Sequence, residues 1–193
     1  MRTAKIERNT KETQITLSLA LEGGDISVGT GAGFLDHMLE LLAVHSGFGL
    51  QIKCKGDTEV DFHHTTEDVG IALGLALKEA LGDKRGIARF ADKVVPMDET
   101  AALVALDIGG RPFLNFDCGG KLSRGKIGSF DAELVEEFLR AFANNAGLNI
   151  YVKLLSAGNM HHEAEAIFKA LAQCLRMAVA VVSDKIPSSK GVL

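Results

Sequence analysis

Two patterns of apolar residues recur along this chain. Ile15, Leu17, Leu19 and Leu21 alternate with Thr16, Ser18 and Ala20. Strand side chains point to opposite faces in turn, so this stretch predicts a half-buried strand. Ile26–Val28 predicts a second, shorter strand. A glycine-rich turn then leads into Phe34–Leu42, whose apolar residues fall at helical spacing. Phe48, Leu50, Ile52 and Cys54 alternate as another strand, and Thr66–Leu81 predicts a helix stopped by Gly82.

The rest of the chain runs through the same order. Ala101–Asp107 and Phe113–Asp117 predict a hairpin around Gly109-Gly110-Arg111-Pro112. Asp131 is placed to cap a helix reaching about Asn145. Leu148, Ile150, Val152 and Leu154 alternate, and Glu163–Val182 predicts a long amphipathic helix. Individual residues match as well. His37-Met38-Leu39 pairs with Glu137-Phe138-Leu139, Gly47 with Gly147 and Lys53 with Lys153, each a hundred residues on. After a small gap, His63-His64-x-x-Glu67 pairs with His161-His162-x-x-Glu165. Any two amphipathic helices share apolar positions, but they do not share a polar signature by default. The pattern therefore predicts an internally duplicated α+β chain, with residues 1–85 as the first half-repeat and 86–193 as the second. Helices lying on one face of a sheet need a second layer over them, so the halves are expected to bury their helices together.

Composition narrows the function classes. The 193 residues are 47% hydrophobic and 24% charged, the balance of a globular domain. The net charge of −4 and the lack of a basic stripe argue against a nucleic-acid partner. No apolar run approaches the ~20 residues of a membrane span, so no membrane partner is expected. Cys54, Cys118 and Cys174 are scattered and odd in number, which suits neither a disulfide framework nor a zinc site and predicts a reducing cytoplasmic setting, or an organelle if a transit peptide was trimmed.

The chemistry lies in the histidines. Four of the six sit in the two His-His-x-x-Glu motifs, each opening a helix. There His63 and Glu67, like His161 and Glu165, are one turn apart on one face. His64 and His162 point about 100° away, so neighbouring imidazoles serve two different ions or two sites shared with another copy. Imidazole and carboxylate without thiolate suit a borderline-to-hard divalent ion such as Mn²⁺. Two copies in register predict a two-metal protein. On these residues alone, a binuclear hydrolase or a metal-storage protein also fits. Gly29-Thr30-Gly31-Ala32-Gly33 lacks the lysine and spacing of a phosphate loop and reads as a turn.

Longer segments carry a resemblance. Arg8–Thr13, Phe34–Leu39, Asp61–Asp68, Gly110–Pro112, His161–Glu165 and Pro187–Leu193 are similar, in order and spacing, to the imidazoleglycerol-phosphate dehydratase family. The resemblance implies two halves, each a four-stranded sheet with helices on one face (ribosomal protein S5 domain 2-like). It implies a homo-oligomeric 24-mer, an octahedral shell of trimers with active sites between subunits. It implies two Mn²⁺ ions per active site, held by His37, His63, His64, Glu67, Glu137, His161, His162 and Glu165. Glu137 stands where several relatives carry histidine, and the repeat independently pairs it with His37. The substrate implied is a phosphorylated imidazole that loses water during histidine biosynthesis. Glu12 is then the expected general acid/base, with His45 and Lys169 as further catalytic residues. Arg89, Arg111, Ser188, Ser189 and Lys190 are expected at the substrate phosphate, the last three on a C-terminal tail.

Overall fold

The alternating stretch at residues 15–21 becomes the second strand of a mixed sheet, in a computed structural model that describes residues 1–193. The first half contains β1 (Thr3–Asn9), β2 (Thr13–Ala20), β3 (Ile26–Gly29), α1 (Gly33–Ser46), β4 (Gly49–Gly56) and α2 (His63–Leu81). The second contains β5 (Phe90–Met97), β6 (Thr100–Asp107), β7 (Phe113–Asp117), the two-residue strands β8 (Lys126–Ile127) and β9 (Phe130–Asp131), α3 (Leu134–Ala146), β10 (Asn149–Ser156) and α4 (Met160–Ala178). The two sheets have matching strand orders, β1-β2-β4-β3 and β5-β6-β10-β7. In each, the first three strands in that order are antiparallel and the last pair is parallel. The duplication is thus a duplication of topology.

Strand period decides which face is inward. Ile15, Leu17 and Leu19 of β2 and Ala102, Val104 and Leu106 of β6 are buried under the helices. Helices α1 and α2 cover the first sheet, and α3 and α4 cover the second. The helix layers then pack on each other, α2 against α3 and α1 against α4. One continuous cluster of 53 buried residues runs through both halves, so neither half keeps a core to itself. The α2–α3 crossing is close because Gly70 and Gly74 lack side chains. A Cβ on Gly74 would stand 2.8 Å from the Phe142 carbonyl oxygen. Helices α1 and α3 both end on left-handed glycines, Gly47 at φ 75 and Gly147 at φ 69.

Three sequence expectations are corrected. β6 and β7 form no hairpin, because β10 lies between them. The intervening turn is anchored elsewhere: the Gly110 N–H donates to the Gly147 carbonyl and the Phe113 N–H to that of Leu148. Alternation shows that a segment is a strand, and it carries no information about which strand lies alongside. Asp131 does not cap α3; it belongs to β9 and pairs with Lys126 Nζ at 2.8 Å. Helix α4 stops at Ala178, and the chain beyond it turns back along Gly86–Ala88, with the Val182 N–H donating to the Gly86 carbonyl. The strands β1 and β5 were not predicted. Both lie at sheet edges, and in β1 only Ala4 is buried, so charged residues mask the strand period.

Candidate metal centre and substrate site

The two histidine motifs begin their helices in the same way. The Asp61 carboxylate accepts the His63 N–H at 2.7 Å, and the Asn159 side-chain oxygen accepts the His161 N–H at 2.8 Å. Each acceptor satisfies a backbone donor that the first helical turn leaves free. The neighbouring rings stand almost perpendicular, at 85° for His63–His64 and 83° for His161–His162, with centroids 6.3 and 6.2 Å apart. A single ion does not fit between such a pair.

At the α1–α4 contact the helices bring three expected ligands together. His37, His161 and Glu165 each offer a donor atom, all within 4.8 Å of one another. His161 Nε2 lies 3.4 Å from a Glu165 oxygen. The other Glu165 oxygen holds Lys169 Nζ at 2.7 Å. Burial pushes the Glu165 carboxyl up, but the Lys169 hydrogen bond and charge, with His37 and His161, bring it below the usual glutamate range. Two imidazoles and one ionised carboxylate on rigid helices suit a divalent ion with coordination positions left open. The pseudo-symmetric trio is His63, Glu67 and Glu137, at α2–α3. His63 and Glu137 line one cavity of about 230 Å³ with Glu133, Glu136 and Arg140. Within one chain this trio does not close: Arg140 Nε lies 3.9 Å from Glu137, and Arg140 also bonds Glu136.

His64 and His162 point away from these groups, and each is held by a carboxylate that sequence reasoning missed. Asp57 Oδ2 meets His64 Nδ1 at 2.9 Å, and the Glu99 carboxylate meets His162 Nδ1 at 3.1 Å. Both contacts leave Nε2 for a ligand. The Asp57 hydrogen bond holds the His64 imidazole above its usual range; burial opposes this, and the Glu12 charge adds to it. Glu99 is brought down to about 2, first by the Asn159 N–H, then by its own N–H and by His162. Asp98, Glu99 and His162 also form a close donor group, but the Glu99 oxygens are committed to His162 and Asn159. Glu99 and Glu12 occupy matching hairpin tips, β5–β6 and β1–β2. Comparing those hairpins across the repeat was the signal that would have found Glu99.

Glu12 is left free by comparison. Its carboxylate lies 3.8 Å from His64 Nε2. The loop beneath it is tied to α2: buried Asp68 accepts from Arg8 at 2.7 and 3.0 Å and from the Thr13 hydroxyl, while Thr10 Oγ1 accepts the Glu12 N–H at 3.1 Å. Arg89, at φ 73, donates to Asp107 at 2.7 Å and to the Pro187 carbonyl at 2.8 Å, which fastens the tail just before Ser188. Arg111, Ser189 and Lys190 are exposed around this tail, with Ser188 half-buried. His45 sits in the last turn of α1, two turns from His37, and joins none of these groups within the chain.

Residues 30–175 match the family model described as imidazoleglycerol-phosphate dehydratase. The chain belongs to the imidazoleglycerol-phosphate dehydratase family. It is 57% identical to the imidazoleglycerol-phosphate dehydratase of Azorhizobium caulinodans, over 100% of this chain and 99% of that one. Identity to the Xanthobacter autotrophicus enzyme is also 57%, over the same shares. Two solved members share the fold. The structure from Staphylococcus aureus has a TM-score of 0.85 at 43% identity, covering 93% of this chain and 99% of that chain. The structure from Pyrococcus furiosus has a TM-score of 0.84 at 36% identity, covering 97% and 100%. The α+β fold of two similar halves is therefore the dehydratase fold, and the chain is a lyase of histidine biosynthesis that acts on a small molecule. No helix is long and apolar enough to cross a membrane.

Proposed function

We propose that the chain removes water from imidazole glycerol phosphate to give imidazole acetol phosphate, with two Mn²⁺ ions in each active site. The observation that carries this reading is the His37–His161–Glu165 group, together with His64 and His162 turned outward. One chain offers donors to each ion but does not surround it. Chains meeting so that the outward imidazoles of one complete the trios of another would enclose both ions. This favours active sites between subunits and the octahedral 24-mer, in a cytoplasmic enzyme. His63, Glu67 and Glu137 would hold the second ion, with Glu137 released from its contact with Arg140.

When bound, the cations supply Lewis-acid stabilisation of charge on the substrate imidazole, worth several kcal/mol. The chain's own groups do the rest. Asp57 and Glu99 hold His64 and His162 in the orientation that presents Nε2. Glu12, beside His64 Nε2 on its clamped loop, takes the proton from the middle carbon, the hydroxyl on the ring-bearing carbon picks up a proton and leaves as water, and the enol so formed takes a proton at the ring-bearing carbon to become the ketone. Lys169 keeps Glu165 ionised, and His45 joins from a neighbouring chain. Arg89, Arg111, Ser188, Ser189 and Lys190 bind the phosphate, with arginine forks matched to its oxygens. A tail that orders over substrate also keeps water out.

The test is turnover of imidazole glycerol phosphate by the assembled protein after chelation and after Mn²⁺ readdition. Product with retained phosphate, formed only when metal is restored, is the expected result. Release of inorganic phosphate would instead indicate a binuclear hydrolase. Folded, metal-loaded protein that yields no product refutes the reading.

A further inference from the structure

Just beyond α2 lies a cation that the site described above does not use. Lys84 takes a left-handed backbone at φ 60, which costs a non-glycine residue about 1–2 kcal/mol. The residue is only 7% exposed, and its ammonium, which makes no hydrogen bond or ion pair within the chain, stays open to solvent. Burial, with the Lys78 and Arg89 charges, holds that ammonium below the usual lysine range, while Asp107 pulls the other way. A left-handed lysine backbone persists where the surroundings demand it.

Its position indicates the demand. A Cβ built on Gly110, the residue before Arg111, would lie 3.3 Å from Lys84 Nζ and 3.4 Å from the Leu193 carbonyl carbon. The ammonium, the Gly110–Arg111 turn and the end of the tail therefore converge on one spot, and glycine keeps that spot open. The carboxylate facing this cluster, Asp107, is already engaged by Arg89 at 2.7 and 3.2 Å.

We propose that Lys84 is a further phosphate-binding residue, its Nζ forming the floor of the anion site walled by Arg89, Arg111 and the Ser188–Lys190 tail. This rests on the reading that the substrate phosphate is held there. A compact ammonium supplies a point charge from beneath, and the arginine forks grip the oxygens from the sides. The phosphate provides the partner that the free chain does not.

The experiment uses the assembled, Mn²⁺-loaded protein with Lys84→Met, Lys84→Gln and Lys84→Arg. Three quantities are read: KM and kcat for imidazole glycerol phosphate, the inhibition constant of inorganic phosphate, and that of imidazole, which carries no phosphate. Both neutral variants are expected to raise KM and the phosphate constant about tenfold, the loss of one charge-assisted hydrogen bond. Bound manganese and the imidazole constant stay unchanged, and Lys84→Arg recovers most of the loss. Phosphate inhibition unchanged in both neutral variants overturns the proposal, as does an equal weakening toward imidazole, which marks a packing role. A wild-type protein that neither binds phosphate nor turns over substrate overturns the functional reading itself.

Discussion

Thr13→Val is expected to destabilise the chain, while Thr100→Val is expected to leave it unchanged or slightly more stable. The two threonines begin the matching strands β2 and β6, and both are 1% exposed. Only their partners differ. The Thr13 hydroxyl donates to the Asp68 carboxylate, whereas the Thr100 hydroxyl is buried with no partner. At the position of α4 that matches Asp68, the repeat carries Ala166. A hydrogen bond to a buried carboxylate contributes about 1.5–3 kcal/mol, and an unpartnered buried hydroxyl contributes none. Urea unfolding of the metal-free chain keeps assembly from masking the difference. The signal is far-UV circular dichroism, since the chain has no tryptophan and one tyrosine. With an m value of about 2 kcal/mol/M, Thr13→Val lowers the midpoint by about 1 M. Equal losses at the two positions, or a larger one at Thr100, would refute the reasoning.

Three other outcomes follow from the same geometry. Gly74→Ala lowers stability by about 1–2 kcal/mol in the same unfolding assay, because the clash with the Phe142 carbonyl exceeds the gain in helix propensity; a more stable variant would show that the helices part easily. Asp57→Ala weakens Mn²⁺ binding, titrated by electron paramagnetic resonance, by about tenfold or more, since His64 loses the partner at Nδ1; unchanged affinity would remove Asp57 from the site. Burial raises the Cys54 thiol to about 11 and the Cys118 and Cys174 thiols to about 12, so all three stay protonated and unreactive toward a disulfide reagent at a pH of about 8 until urea unfolds the chain. Fast labelling of the native protein would contradict this.

Much of the candidate site's local geometry was legible before any fold was known, because its elements are local. A His-His-x-x-Glu motif at a helix start carries its own geometry: the one-turn spacing puts His161 and Glu165 together, and the divergence of the His161 and His162 side chains follows from residues per turn. Strands with one buried face reveal themselves by period, as β2, β4 and β10 do. The duplication was readable because it repeats polar residues in register. Edge strands hide, since β1 buries little besides Ala4 and its pattern is dominated by charge.

What the sequence could not specify are relations between segments far apart in the chain. Alternation in β6 and β7 was visible, but the placement of β10 between them depends on how the whole sheet pairs. The roles of Asp57, Glu99 and Asp68 depend on which hairpin faces which helix, and a lone carboxylate in a sequence is by default a solvated one. Lys84 is the extreme case: a lysine beside Asp83 and Arg85 reads as surface, and only the returning tail and the Gly110 turn bury it. Chain periodicity sets local shape over a few residues, whereas the partner a side chain meets is set by the packing of the complete core.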